Sequence, residues 1–326
     1  MFKRFEKVYG IDLGTSNTVI FERGKGIVLS EPSVVAFHQG TGEILAVGAQ
    51  AQAMIGRAPD HVEISYPLRN GVIANFDMAN SMLKQFMNKI RRRTWFGRSQ
   101  VYISVPCGIS NVQRRAVEDT IVHSGANKAI AVEEPVAAAV GAGLPINEPI
   151  GHLVLDIGGG SCQTAVLSLG GIVASHTLSR AGISIDHDIK EYVKRKHNLE
   201  IGERTAEEIK KQIGTADPKA EERFLEVRGR AMVDGLPRSI RLSSTEIHTV
   251  VDDFVRLIIE AIRTTMEQVP PELAGDVVEQ GIMLCGGGAL LHGIDERIRR
   301  EALVPVHIAD RPLECTALGT GMMIGS

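Results

Sequence analysis

Two short stretches each place an aspartate before a bare loop. IDLGTSNTVI at 11–20 and LDIGGGSCQTAV at 155–166 both run apolar residue, Asp, apolar residue, Gly, then small residues. Glycines let several backbone N–H groups approach one anion and take positive φ. Gly14, Thr15, Ser16 and Asn17 form one such loop; Gly158, Gly159, Gly160 and Ser161 form the other. Two loops facing each other can grip a polyphosphate from both sides. A carboxylate there repels phosphate unless a cation intervenes, so Asp12 and Asp156 suit a Mg2+ that they hold through its retained waters. One Asp alone fits a strand-end turn cap equally well; two in matching places favour the metal.

Three further clusters extend this chemistry. GIMLCGGGALLHGIDERI at 281–298 reads as strand, glycine turn and helix, and Gly286, Gly287, Gly288 and Ala289 would let a nucleoside lie flat against the turn. GERTAEEIKKQIG at 202–214 reads as a helix with Thr205 in the cap position. It is either an ordinary capped surface helix or a wall on which Glu203, Thr205, Glu207 or Lys210 lines the nucleoside pocket. VEEPVAAAVGAG at 132–143 puts Pro135 in a first turn and follows it with residues small enough for close helix approach, as a hinge needs. Glu133 and Glu134 favour the positive helix end. Beside phosphates, one Glu is also placed to orient an attacking water.

These residues need strand ends and helix starts to hold them. Strands are predicted at 8–12, 18–23, 27–30, 33–37, 43–47, 101–105, 129–132, 152–157, 163–169 and 172–177. Helices are predicted at 77–92, 111–124, 134–143, 184–196, 204–213, 245–267, 293–302 and 315–323, the 245–267 stretch with a clear amphipathic stripe. The segment 218–230 reads as solvated surface. This alternation is α/β with mixed sheets. The stretches 11–28 and 155–173 repeat one order of Asp, Gly loop, strand, Gly turn and Ile-Val, which implies two similar domains across a cleft.

Bulk properties exclude several classes. The chain has 326 residues, 44% hydrophobic and 23% charged, enough for roughly two domains. A net charge of -3 offers no general attraction to nucleic acid. Four scattered cysteines without CxxC spacing argue against a disulfide framework or zinc site and fit a reducing cytosol. No run resembles a signal peptide or reaches the ~20 apolar residues of a membrane span. Phe2 and Phe5 interleave with Lys3 and Arg4, and Trp95-Phe96 follows Arg91–Arg93. Both patterns fit interfacial membrane contact, or else a packed loop and a loose start.

In this order and spacing, IDLGTSNT, VEEPVAAAVGAG, LDIGGGS, GERTAEEIK and CGGGALLHGID resemble the actin-like ATPase superfamily, and most closely its MreB branch of bacterial actins. SEPSVVAF at 30–37 and PLRNGVIANFD at 67–77 extend the likeness over the whole chain. The resemblance implies an actin-like (ribonuclease H-like) fold of two similar domains around a nucleotide cleft. Domain I would take 1–145 plus 311–326, with a small subdomain at about 32–75; domain II would take 146–310, with a small subdomain at about 183–245. It implies a Mg2+-dependent ATPase, with ATP against GTP left open, that assembles into antiparallel double protofilaments. These would lie on the inner face of the cell membrane, in the cytoplasm, and guide cell-wall elongation proteins in rod-shaped cells. By position, Asp12, Gly14, Thr15 and Asn17 form the first phosphate loop, and Asp156, Gly158, Gly159 and Gly160 the second. Glu134 matches the water-positioning residue, and Ser161 keeps the hydroxyl assigned to hydrolysis. Glu203, Arg204, Thr205 and Ala206 match one wall of the nucleoside pocket, and Gly286, Gly287 and Gly288 the other; Gly182 sits in the RAG stretch that follows the second hairpin.

The chain departs from the pattern in two places. Ser161-Cys162-Gln163 stands where the family usually has Thr-Thr-Glu, and Ile183 where an acidic residue is common. Intact binding with altered, slow hydrolysis is therefore expected. A non-polymerising ATPase module or a sugar kinase is the alternative; a kinase would need a second substrate pocket with a catalytic Asp, and no motif supplies one.

Overall fold

The computed structural model describes residues 7–90 and 99–323, so Phe2, Phe5, Trp95 and Phe96 lie outside the described residues. The first half runs β1 (Lys7–Leu13), β2 (Asn17–Glu22), β3 (Gly26–Pro32), β4 (Val35–His38), β5 (Ile44–Val47), α1 (Ala49–Gln52), β6 (Val62–Ser65), β7 (Leu68–Arg69), β8 (Val72–Ile73), α2 (Phe76–Ile90), β9 (Ser99–Val105), α3 (Asn111–His123), β10 (Lys128–Glu133) and α4 (Glu134–Gly141). The second runs β11 (His152–Ile157), β12 (Cys162–Ser168), β13 (Gly171–Leu178), α5 (Gly182–His197), β14 (Leu199–Glu200), α6 (Glu203–Ile213), β15 (Phe224–Ala231) and β16 (Pro237–Ser243). It ends with α7 (Ser244–Met266), α8 (Pro271–Gln280), β17 (Ile282–Cys285), a 3-10 turn (Gly287–Leu290), α9 (Ile294–Ala302), β18 (Val306–Ile308) and α10 (Cys315–Met322).

The repeat seen in the sequence is a repeat of topology. One five-stranded sheet has the order β10-β9-β1-β2-β3 and the other β18-β17-β11-β12-β13. In each, the Asp-bearing strand is central, antiparallel to the strand after it and parallel to a later one. Asp12 lies opposite Val19 and Asp156 opposite Gln163, the same register in both hairpins. Each third strand carries a bulge, between Ile20 and Phe21 in one ladder and Val166 and Leu167 in the other. Strands β11 and β12 are buried along their whole length, which is why LVLDI and TAVL read as apolar runs rather than alternating ones.

Helix α7 buries Ile247, Val251, Phe254, Ile258 and Ile262 against the second sheet, as its stripe predicts, and starts with a capping box of Ser243 and Glu246. The sheets are joined through two helices. α10 packs on β1, β2 and β9, α4 packs on β11 and β12, and the two helices press on each other. Their backbones touch: a Cβ at Gly141 would lie 1.8 Å from the Cys315 carbonyl oxygen, and one at Gly319 1.7 Å from that of Ala137. The small residues of 137–143 do permit close approach, and α10 is the partner.

Two readings need correction. α6 begins at Glu203 behind Gly202, which makes no side-chain cap bond, so Thr205 is the third helical residue and no cap. Segment 218–230 is partly strand: Phe224–Ala231 pairs with Pro237–Ser243, and β14 adds a third strand. Its charged residues occupy the solvated face, while Val227 and Ala231 turn inward. A separate three-stranded sheet, β5-β4-β6, has its own small core of Val34, Ala36, Ala46 and Ala51.

Candidate functional site

Each loop leaves the central strand of its sheet, so both aspartates stand at equivalent strand ends. The loops close alike, Gly14 N–H donating to the Asn17 carbonyl at 3.1 Å and Gly158 N–H to that of Ser161 at 2.9 Å. The N–H groups of Thr15, Ser16, Gly159 and Gly160 donate to no acceptor among the described residues. Backbone donors at a buried position need a partner. Thr15 and Gly160 are buried. Four such amides on two matched turns are the donor set an anion of several oxygens requires, and this is the observation by which a polyphosphate fits.

The two loops meet at their tips. A Cβ on Gly159 would fall 1.9 Å from the Ser16 hydroxyl, and one on Gly160 2.3 Å from that of Thr15. The glycines therefore serve close contact between the halves as well as access to the amides. A third element seals the contact. The Asn70-Gly71 turn of the β7–β8 hairpin donates its Gly71 N–H to Thr15 Oγ1 at 2.9 Å, and a Cβ on Gly71 would sit 2.9 Å from Ser161 Oγ. Asn70 (φ 51°) and Gly71 (φ 80°) both have positive φ, as a two-residue hairpin turn demands. Ser33 braces the first loop from behind, donating to the Gly14 carbonyl at 2.7 Å.

Three carboxyl groups share this cleft. Asp12 accepts from Ser104 Oγ at 2.9 Å and Asp156 from Thr316 Oγ1 at 3.3 Å. Burial pushes Asp156 up to about 7, with the charge of Asp12 adding to it. Asp12, which keeps a half-buried surface, is pushed up to about 6, again by burial, against the Ser104 hydrogen bond. Glu134 opens α4 and is held well above the carboxylate range, by burial first and then by Asp12 and Asp156. Its Oε2 accepts from Gln163 Nε2. Carboxyl groups brought this close in a buried cleft repel one another when charged, so Asp12 and Asp156 would suit a cation held through its waters.

The nucleoside-side residues divide. Gly286 (φ 77°) lies directly under Asp156, since a Cβ there would be 2.4 Å from its Oδ1. Gly287 is exposed and Gly288 half-buried, but Ala289 is fully buried in the core, and the 3-10 turn that contains all three ends before α9 begins. Ala206 is likewise a core residue of α6, so its side chain lines nothing. Both were expected to contact a cofactor; their apolar burial is the reason they do not do so by side chain. Lys210 is engaged, pairing with Asp186 at 2.8 Å and donating to the Gly182 carbonyl at 2.9 Å, where it braces the turn behind the second loop. Glu207 pairs with Lys211 and Arg204 with Glu208 along the α6 surface. Thr205 is half-buried beside them. Glu203 reaches across the cleft and accepts from Tyr66 Oη at 3.1 Å.

Tyr66, Gly71, Ser104 and Thr316 were not singled out from the sequence. Asn-Gly between the short runs Leu68-Arg69 and Val72-Ile73 is a hairpin signal that could have found Gly71; the other three have no local signature.

The MreB/Mbl protein family model matches residues 6–326. The chain is 46% identical over 320 residues to the cell shape-determining protein Mbl of Bacillus cereus, covering 98% of this chain and 96% of that one. It is 42% identical over 330 residues to the cell shape-determining protein MreB of Escherichia coli, covering 98% and 95%. Among solved structures, MreB5 of Spiroplasma citri bound to AMPPNP matches with a TM-score of 0.93 and 35% identity, over 98% of this chain and 96% of that one.

Proposed function

The chain belongs to the MreB/Mbl family and has its actin-like fold, and from that premise we propose that it is a filament-forming, Mg2+-dependent ATPase. The observation that carries this is the pair of matched loops with four unpartnered amides beside buried Asp12 and Asp156. ATP is the proposed nucleotide, GTP the alternative; the S. citri relative is known with AMPPNP and with ADP. Gly14, Thr15, Ser16, Asn17, Gly158, Gly159 and Gly160 hold the phosphates. Bound Mg2+ would neutralise phosphate charge, with Asp12 and Asp156 gripping it through water. Ser161 and Glu134 orient the attacking water. Burial, and then Asp12 and Asp156, push the Glu134 carboxyl upward, an environment the bound cation would offset.

We assign the four subdomains of the sequence reading, with domain I at 1–145 plus 311–326 and domain II at 146–310. Assembly is proposed as antiparallel double protofilaments on the inner face of the cell membrane, steering cell-wall elongation proteins. No helix of the described residues is long and apolar enough to cross a membrane. Contact is therefore assigned to Phe2, Phe5, Trp95 and Phe96, from the sequence pattern alone. With ATP and Mg2+ the protein should pellet on centrifugation and show paired filaments by negative-stain microscopy, releasing phosphate slowly. Phosphate release with no sedimentable polymer at any concentration would leave only the ATPase module.

The Tyr66–Glu203 contact joins the halves across the cleft. Because the pair is largely exposed, it is worth only about 1 kcal/mol. Tyr66→Phe should accordingly speed release of a fluorescent ADP by about two- to fivefold in stopped flow, while lowering the melting temperature by no more than about 1–2 °C. An unaltered release rate would show that the contact does not hold the cleft.

A further inference from the structure

Gln163 is a buried polar residue with both ends of its amide engaged. Its Oε1 accepts from the Cys107 N–H at 2.8 Å, and its Nε2 donates to Glu134 Oε2. A backbone N–H can only donate, so the end facing Cys107 must be the oxygen, and the amide cannot be flipped. The end facing Glu134 is therefore a donor. Cys107 follows β9, Glu134 starts α4 and Gln163 lies in β12, so one side chain ties three elements from both halves together. The position is not forced by the hairpin. Its counterpart in the first hairpin is Val19, opposite Asp12 as Gln163 is opposite Asp156. Glu134 Oε1, by contrast, accepts from no described residue and is not sealed off.

We infer that Gln163 is a positioning residue for ATP hydrolysis: its fixed amide holds Oε2 of Glu134 and leaves Oε1 as the one oxygen available to orient the attacking water. This rests on the proposed role of Glu134. A carboxylate free to rotate would offer either oxygen in changing directions, and misplacing a catalytic group by about 1 Å costs on the order of a hundredfold. With the amide gone, Glu134 keeps its place at the head of α4 but not its orientation. In the sequence Gln163 stood only as part of a departure from the family's usual Thr-Thr-Glu; its two hydrogen bonds give it a place beside Glu134.

Replacing Gln163 by Met removes both hydrogen bonds at similar volume; replacing it by Asn keeps an amide too short to span from Cys107 to Glu134. Both variants should lower kcat for phosphate release by about tenfold while the Kd for ADP stays within about twofold. Glu134→Ala should also lower kcat, and adding Gln163→Met to it should lower kcat no further, because Gln163 acts only through Glu134. A merely structural Gln163 would instead give losses that multiply in the double variant. Parent-like kcat in a folded Gln163→Met or Gln163→Asn protein, or multiplying losses, overturns the inference. If Glu134→Ala itself hydrolyses like the parent, the role of Glu134 fails and takes this inference with it; an impaired Glu134→Ala beside an unimpaired Gln163→Met sinks the Gln163 step alone.

Discussion

Gly319→Ala is expected to lower the melting temperature by about 3–6 °C, whereas Gly275→Ala raises it by about 1–2 °C. Both glycines lie inside helices, and alanine is the better helix former at each. What differs is the room for one methyl group. At Gly275 in α8 nothing lies within 4 Å of the added carbon. At Gly319 in α10 it would lie 1.7 Å from the Ala137 carbonyl oxygen and 2.9 Å from the Gly141 amide. Backbone cannot rotate away as a side chain can, so α4 and α10 must separate. That separation opens the cluster of Val136, Ala138, Ala139, Val154, Cys285 and Cys315 packed around the crossing. Overpacking costs about 1–3 kcal/mol at an ordinary core site, and rigid neighbours put this one at the upper end.

The damage should reach the cleft, because α10 carries Thr316, which bonds Asp156, and α4 begins with Glu134. Nucleotide affinity and hydrolysis should therefore fall with stability in Gly319→Ala and remain unaltered in Gly275→Ala. Differential scanning fluorimetry with and without ATP and Mg2+ reads both. Equal melting temperatures for the two variants would mean the helix contact is looser than its geometry requires.

The same crossing marks the limit of what the sequence discloses. The two Asp-Gly hairpins were legible because strand, turn and register are local, and the apolar runs of β11 and β12 announce burial on both faces. The small residues of 137–143 announced a close contact, yet nothing local identified α10 as the other side of it. Tyr66 and Glu203 meet although 137 residues separate them, and Thr316 reaches Asp156 from 160 residues away. Such pairs carry no periodicity and no motif. β15 and β16 were missed for a different reason: their outer faces are so charged that a half-solvated hairpin resembled a loop. The side chains of Ala206 and Ala289 turn into the core, which their place in a motif does not disclose.

Asp156→Asn should act in opposite directions on the stability of the protein and on its response to nucleotide. In the folded chain burial, and then Asp12, lift Asp156 from 3.8 to about 7. A carboxyl raised in the folded state binds its proton more tightly there than in the unfolded chain. Its contribution to stability is thus fully present below pH 3.8 and is lost as pH rises through about 7. Asp12, raised to about 6, has the same sign over a narrower window. Protein stripped of nucleotide and metal should therefore lose stability between about pH 4 and 7, by an amount on the order of 4 kcal/mol from Asp156. Asparagine keeps the shape and can still accept from Thr316, but it carries no charge to desolvate. Stripped Asp156→Asn should melt several degrees above the parent at pH 7.5 and at about the same temperature at pH 4. The parent has more to gain from Mg2+ and ATP, because the ion satisfies the charge that costs stability without it. A variant whose affinity drops about a hundredfold forfeits about 2.7 kcal/mol of ligand stabilisation at saturating nucleotide. The two melting curves should cross, the variant being the more stable without ligand and the less stable with it. If the variant gains the full nucleotide shift, Asp156 does not hold the metal's waters; if the stripped proteins melt together at pH 7.5, its carboxyl is not desolvated as its burial demands.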